Sequence, residues 1–236
     1  MRHILPLVWT DLRILFRTGY VWATVVIFAI LLFIALQVAR LDFSGFVSLV
    51  SAIILLDVVL TPILIVGLMV LLERGEGSFA ALAVTPLSRS AYLAARTLTV
   101  SMISSAEMLL LVMIAYDGEV SGILLAGALV SLSAIVALSA IIIVAPFNSL
   151  YAFILPMFGW VFFLGMPAYG VLIGWDAAWL AWHPTSSAMV LLEGAFEPLE
   201  ISRLGFGIAG VVLWIAVMSF LALQALRFMQ ARAAGG

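Results

Sequence analysis

The chain has 236 residues, of which 66% are hydrophobic and only 9% are charged, with a formal net charge of -2 and a mean hydropathy of +1.32. A soluble domain of this length cannot carry so much apolar surface, so the composition indicates an integral membrane protein. The absence of cysteine excludes disulfides, thiolate metal ligands and cysteine nucleophiles. All 10 basic residues are arginine, and without lysine the chain cannot form the phosphate-binding P-loop of ATPases.

Residues 1–18 are expected to form a helix ahead of the first membrane span. Several apolar residues fall near one face, whereas Asp11, Arg13 and Arg17 tend toward other faces. This pattern is typical of an amphipathic helix in the membrane interface, with its apolar side toward lipid and its arginines toward headgroups. The alternative is a simple helical extension of the first span. The apolar face consists of Leu5, Val8, Trp9, Leu12 and Phe16.

Six segments are long and apolar enough to cross a bilayer, since a spanning helix needs about 20 mostly apolar residues. The predicted fold class is therefore an all-α integral membrane protein, and residues 1–236 are expected to form a single transmembrane domain. Most connections between the spans are short. The predicted spans are 20–38, 46–72, 92–116, 120–145, 149–173 and 204–226.

Two acidic residues, Asp57 and Glu107, fall inside the second and third predicted spans. At a rise of ~1.5 Å per residue each lies ~16 Å deep, near the middle of the bilayer. An ionised carboxylate there costs at least ~2.5 kcal/mol, so each acid should be protonated, paired or in contact with water. Both are candidates for the transport path. The alternative is a neutral acid that hydrogen-bonds a serine hydroxyl or a backbone carbonyl and fixes helix packing.

The connection between the second and third spans, residues 73–90, is unusually polar for this chain. Ser78 can cap a short helix there, because a serine side chain accepts a hydrogen bond from a free amide at a helix start. Pro86 cannot continue that helix and disfavours it in the preceding residue. The apolar side chains of Phe79 and Leu82 would then be available for docking. The alternative is an ordinary charged turn stabilised by lipid headgroups.

Residues 174–203 form the long connection between the fifth and sixth spans. Three tryptophans recur there at helical spacing, which would place them on one face suited to the outer interfacial belt of a membrane. Pro184 is expected to end that helix and Ser186 to cap a second one. His183, beside the proline, is interpreted as a loop or cap residue rather than a metal ligand. The tryptophans are Trp175, Trp179 and Trp182.

Arginine placement predicts the orientation, because the cytoplasmic flanks of spans retain positive charge. With the N-terminus inside, only Arg40 and Arg203 of the 10 arginines lie outside. Both termini are then cytoplasmic, as an even number of spans requires.

The polar connection between the second and third spans, called the insert below, resembles the corresponding segment of ABC-2 type transporter permeases, the membrane subunits of ABC exporters. Glu73, Arg74 and Gly77 match the glutamate, basic residue and glycine that precede a short helix in that family. The run VTPLSR at 84–89 matches the sequence that follows, although Arg96 stands where lysine is common. The N-terminal interface helix, six spans and short external re-entrant helices of the family are similar to the predicted layout. Among its members, small drug-export permeases, including those described for fluoroquinolones, resemble this chain.

The resemblance implies a transport subunit of a prokaryotic plasma (inner) membrane without its own ATPase site. Two copies of a separate P-loop ATPase subunit would bind ATP and Mg²⁺, and a second permease protomer, identical or a sister chain, would complete the pathway. The cargo would be a hydrophobic or amphipathic small molecule, such as a drug. In the family the insert is the coupling helix, which implies ATPase docking for Glu73, Arg74, Gly77, Phe79, Leu82, Thr85, Pro86 and Arg89.

Two other functions remain open from the sequence. A proton-coupled secondary carrier would use Asp57 and Glu107 and would transport without an ATPase. A membrane-embedded enzyme would need a catalytic constellation, but the sequence has no H-E-x-x-H or G-x-S-x-G motif. No nucleic-acid partner is expected.

Overall fold

The computed structural model describes residues 4–40, 46–77, 87–174 and 178–235, and all regular secondary structure in these ranges is helical. The predicted all-α class is therefore confirmed for the described residues. A short 3₁₀ helix, Ala178–Trp182, lies between the seventh and eighth α-helices. The α-helices in chain order are α1 Ile4–Arg17, α2 Tyr20–Ala39, α3 Phe46–Gly75, α4 Arg89–Ala115, α5 Gly122–Val144, α6 Leu150–Leu164, α7 Met166–Ile173, α8 Ser186–Phe196 and α9 Ile201–Gly235.

Five of the described helices, α2, α3, α4, α5 and α9, are long and apolar enough to cross a membrane. They correspond to the first four predicted spans and the last one. The remaining predicted span, 149–173, is divided into α6 and α7. With 15 residues, α6 is ~22 Å long, shorter than a hydrocarbon core of ~30 Å. The single helix expected there is two shorter ones, and the count of six spans stays a prediction.

The division between α6 and α7 has a local cause. Gly165 ends α6, and its amide still bonds back to the Val161 carbonyl at 2.9 Å. Pro167 occupies the first turn of α7, where a missing amide hydrogen leaves no backbone bond unmade. The Leu164 carbonyl, at the end of α6, accepts a hydrogen bond from the Thr185 hydroxyl at 2.8 Å. A side chain from the following connection therefore satisfies a backbone group that a continuous helix would have used itself.

The first helix is separate from the first span. Helix α1 ends at Arg17, and Gly19 has a φ of 82°, in the left-handed region that favours glycine. The helical extension considered from the sequence is therefore wrong. Leu5, Trp9 and Phe16 of the predicted apolar face are exposed, whereas Val8 is buried, and the placement of α1 in the membrane interface stays a prediction.

Helix α5 lies at the centre of the bundle, in contact with α3, α4, α6, α8 and α9. The hydroxyls of Ser131, Ser133 and Ser139 donate to carbonyls one turn earlier in α5, and Ser139 also accepts a hydrogen bond from the Trp160 indole of α6 at 3.1 Å. Small side chains of this kind let neighbouring helices approach closely. In contrast, α2 and α9 leave most of their apolar surface exposed, toward lipid or another protein.

The connection 174–203 folds back onto this bundle. Helix α8 packs against α5 and α9 and is buried along most of its length. A Cβ atom added at Gly210 of α9 would lie 2.8 Å from the Cβ of Ser187, so this approach of α8 to α9 requires glycine. Two short helices thus occur in the predicted external segment, and their re-entrant placement stays a prediction.

Details of this connection differ from the sequence expectations. The helix with the tryptophans is a 3₁₀ helix, and Trp175 lies outside the described residues. Ser186 is the first residue of α8 rather than its cap, and its hydroxyl donates to the Leu180 carbonyl at 2.5 Å. His183 is buried beside Phe163 and its Nδ1 bonds the Thr185 hydroxyl at 2.9 Å. Burial lowers the pKa of His183 to about 4, so this side chain is neutral at pH 7.

Candidate functional site

Among the described charged side chains, Arg96 on α4 is the most deeply buried, with 2% of its surface exposed. Helix α4 begins at Arg89, where the Ser88 hydroxyl caps it by accepting from the Ala91 amide at 3.2 Å. Arg96 therefore lies two turns inside the helix. A buried guanidinium is stable only with charged or polar partners, because removing it from water costs several kcal/mol.

Three helices supply the partners of Arg96. Glu73, near the end of α3, forms a direct ion pair with the guanidinium, and Asp11 of α1 lies 3.4 Å from its Nη1. Tyr92, one turn earlier on α4, donates its hydroxyl to the other oxygen of Glu73 at 2.6 Å. The Met69 sulfur accepts from Arg96 Nη1 at 2.8 Å. Asp11, Glu73, Tyr92 and Arg96 form one connected group, called the Arg96 cluster below.

The charge of this cluster depends on Asp11. Burial raises the pKa of Asp11 to about 6, although the nearby Arg96 lowers it and the Glu73 carboxylate raises it further. The Thr99 hydroxyl, 3.5 Å from Asp11 Oδ2, supplies an additional weak hydrogen bond. With Glu73 ionised, the cluster carries one net negative charge when Asp11 is ionised and none when it is protonated. The charge at the contact between α1 and α4 is therefore expected to change near pH 6.

This raised pKa predicts a pH-dependent difference between wild type and Asp11→Asn. Protonated Asp11 contributes its full stabilisation of the folded state below pH ~3.9, the pKa of aspartate in the unfolded chain. This stabilisation is lost as pH rises through about 6, the pKa of Asp11 in the folded protein. Relative to Asp11→Asn, wild type should lose about 2–3 kcal/mol between pH 4 and pH 7. Unfolding of both proteins in one detergent across this range measures the loss. A constant difference would contradict the prediction, and Asp117→Asn, at an exposed position, is the matched control.

Arg74 points away from Glu73 and toward the turn between α5 and α6. Its guanidinium donates to the backbone carbonyls of Phe147 and Ala145, the latter at 2.8 Å, and lies 3.3 Å from the side-chain oxygen of Asn148. The end of α3 is thus held on one side by the Arg96 cluster and on the other by the α5–α6 turn.

The two acids predicted within the spans lie on neighbouring helices, Asp57 on α3 and Glu107 on α4. Asp57 is buried on α3, and one of its oxygens accepts from the Thr61 hydroxyl at 3.2 Å. Its other oxygen has no hydrogen-bond partner in the described part of the chain. Glu107 on α4 lies close enough to interact with Asp57 electrostatically, and the hydroxyl beside Glu107 is that of Thr24 on α2 rather than a serine of its own helix. A role for this pair in transport stays a prediction.

Comparison with models of protein families finds a match over residues 11–223 to the family described as "Fluoroquinolones export permease protein Rv2686c-like". This range includes every residue of the Arg96 cluster. The chain belongs to the Rv2686c-like family. No individually curated protein matches the sequence. Membership confirms the predicted similarity to small drug-export permeases, and with five apolar helices it indicates that this Rv2686c-like chain is a multi-pass membrane protein of a transport family.

The predicted docking residues of this Rv2686c-like permease have different environments. Glu73 and Arg74 are engaged inside the bundle, as described above. Gly77, with a φ of 70°, and Arg89 are exposed, and Arg89 Nε donates to the Gln230 side chain of α9 at 2.5 Å. The remaining residues lie outside the described ranges, and docking stays a prediction for the whole set. Those remaining residues are Phe79, Leu82, Thr85 and Pro86.

The sequence did not predict the Arg96 cluster of this Rv2686c-like chain. Helix α1 has a second buried face, formed by Val8, Asp11 and Leu15, in addition to its exposed apolar one. The spacing of these residues by three and four positions was a usable signal, because it places an acid between two apolar residues on one side of a helix. Which basic residue that acid would meet depends on the packing of α1 against α4.

Proposed function

We propose that this chain is the transmembrane subunit of an ATP-driven ABC-2 type exporter. It carries a hydrophobic or amphipathic small molecule, such as a fluoroquinolone, from the cytoplasm or the inner leaflet to the outside. Separate ATPase subunits bind ATP and Mg²⁺, and a second permease protomer completes the pathway. The observation that carries this proposal is the position of the Arg96 cluster, which ties together the helices on both sides of residues 78–86.

The Arg96 cluster holds together the ends of the two helices that flank residues 78–86. Glu73 precedes this segment on α3, Tyr92 and Arg96 follow it on α4, and Asp11 adds α1. Buried ion pairs with added hydrogen bonds hold a defined geometry, since breaking one leaves an uncompensated buried charge. A force applied to residues 78–86 by an ATPase would therefore move α1, α3 and α4 together instead of unwinding the ends of α3 and α4.

The same two helices carry the candidate transport residues. Asp57 lies on α3, ~24 Å from Glu73, and Glu107 lies on α4, ~16 Å from Arg96, at a rise of ~1.5 Å per residue. Movement of α3 and α4 as one unit would shift both acids relative to α5, against which the two helices pack. We therefore place the change between inward and outward access at Asp57 and Glu107.

Co-purification tests the ATPase interaction. The tagged protein is isolated from its own membranes in mild detergent, and the co-eluting proteins are identified by mass spectrometry, for wild type and for Phe79→Ala with Leu82→Ala. If these side chains are the centre of the interface, their loss should reduce capture of a P-loop ATPase by about tenfold or more. The matched control is Leu155→Ala with Phe158→Ala, which removes two exposed apolar side chains from α6.

If wild type captures no ATPase in several detergents, the proposal is wrong. The proton-coupled carrier would then be tested with the purified chain in liposomes. That function requires drug movement driven by a pH gradient alone and its loss in Asp57→Asn.

A further inference from the structure

Two adjoining cavities lie between α4, α5 and α9, away from the Arg96 cluster. The first, of about 400 Å³, has almost entirely apolar walls, and the second, of about 390 Å³, is lined by polar and charged side chains together with Leu87 and Leu223. Ser90 and Leu223 line both, so the two cavities form one continuous amphipathic groove. A ligand that fills it needs a polar end and a hydrocarbon end.

The polar end of the groove has uncompensated positive charge. Arg89 of α4 and Arg227 of α9 line it, both exposed, and neither has an acidic partner within 4.0 Å among the described residues. Each gives one hydrogen bond to a neutral glutamine, Arg89 to Gln230 at 2.5 Å and Arg227 to Gln224 at 3.4 Å. A guanidinium has five N–H donors, so both arginines retain capacity for an anion.

The apolar end lies within spanning helices. Leu93 and Leu98 of α4, Val130 of α5 and Ile215 of α9 form part of its walls. The hydroxyl of Ser101, which is 3% exposed, also lines this cavity and has no hydrogen-bond partner in the described part of the chain. These walls suit a hydrocarbon chain.

We propose that this groove binds an anionic phospholipid of the inner leaflet. Its phosphate lies between Arg89 and Arg227, and one acyl chain lies in the apolar cavity between α4 and α9. The order of the two ends favours a lipid, because the arginines lie at the predicted cytoplasmic boundary and the apolar cavity lies deeper in the spanning region. Basic pockets between spanning helices on this side of a membrane bind anionic headgroups. The bound lipid joins the start of α4 to the end of α9.

Native mass spectrometry of the purified full chain tests this proposal. Phosphatidylglycerol and phosphatidylcholine with identical acyl chains are titrated separately into wild type, Arg89→Gln with Arg227→Gln, and Arg13→Gln with Arg17→Gln. Wild type and the α1 control, which loses two exposed arginines elsewhere, should retain phosphatidylglycerol preferentially. The groove variant should bind it more weakly by about fivefold per arginine lost, with little change for phosphatidylcholine.

A second pair of variants tests the acyl chain. Ala94 lines the apolar cavity and is exposed, so Ala94→Trp should fill the cavity without disturbing the core and should weaken phosphatidylglycerol binding. Ala106 is exposed on the same helix outside the groove, so Ala106→Trp should leave phosphatidylglycerol binding unchanged. Equal affinity of wild type for both lipids, or unchanged binding in the arginine variant, would overturn the proposal. Displacement of the lipid by glycerol phosphate would instead assign a simple anion site, and displacement by a fluoroquinolone would assign a cargo site; either also overturns it.

Discussion

Arg96→Met is expected to destabilise the protein by about 3–5 kcal/mol, the typical effect of removing one partner from a buried ion pair. Methionine fills much of the space of the arginine side chain, but it leaves Asp11 and Glu73 without their counter-charge. Both carboxylates would have to take up protons or admit water. Thermal or denaturant unfolding of the purified protein in detergent measures the loss.

A double-mutant cycle separates loss of charge pairing from loss of packing. Glu73→Gln should make Arg96→Met less damaging, because a neutral amide does not need the missing cation. The double variant should therefore lose less stability than the sum of the losses in the two single variants. Arg17→Met, at an exposed position on α1, should change stability by no more than about 0.5 kcal/mol. A loss below about 1 kcal/mol for Arg96→Met would show that Arg96 is not the centre of a buried ion cluster.

Phe153→Ala is expected to cost about 3–5 kcal/mol, the usual range for truncation of a buried phenylalanine. Phe153 of α6 is fully buried, and its ring lies directly over Gly67 of α3. A Cβ atom added at Gly67 would lie 2.6 Å from the ring Cζ, so the glycine provides the space that the ring occupies. Removing the ring leaves a cavity at the contact between α3 and α6. Unfolding measurements as above would detect the loss.

A size exchange makes this prediction specific. Gly67→Leu alone should also destabilise the protein, because it forces a side chain into the Phe153 ring. The double variant Gly67→Leu with Phe153→Ala should be more stable than either single one, since the leucine enters the space that the ring has left. Phe158→Ala, at an exposed position of α6, is the control. If the double variant loses as much as the two singles combined, Gly67 and Phe153 do not form the proposed contact.

The sequence predicted the long helices well because each is determined by its own composition. The segment predicted at 120–145 corresponds to α5, Gly122–Val144, and the segment predicted at 46–72 lies within α3, Phe46–Gly75. The single helix expected over 149–173 is divided into α6 and α7. Average hydropathy contains no information on backbone geometry, and a span there stays a prediction. The division there depends on Gly165 and on a bond from Thr185, which follows 20 residues later.

The candidate site was predicted only in part, for a similar reason. Motif resemblance selected Glu73 and Arg74, and depth along the helix selected Asp57 and Glu107. The contacts of the Arg96 cluster join residues far apart in the chain: Glu73 meets Arg96 across a separation of 23 residues, and Thr99 meets Asp11 across 88. Such contacts arise from the packing of α1, α3 and α4, and no local pattern in the sequence specifies that packing.

The shortness of α6 has a consequence for the surrounding bilayer. Its 15 residues carry outward-facing aromatic side chains, including Tyr151, Phe158 and Phe162, that suit contact with lipid. If α6 crosses the bilayer, as predicted for 149–173, it is ~8 Å shorter than a typical hydrocarbon core, and this hydrophobic mismatch favours local thinning of the membrane beside it. A thinner layer shortens the apolar barrier that the polar groups of an amphipathic molecule must cross.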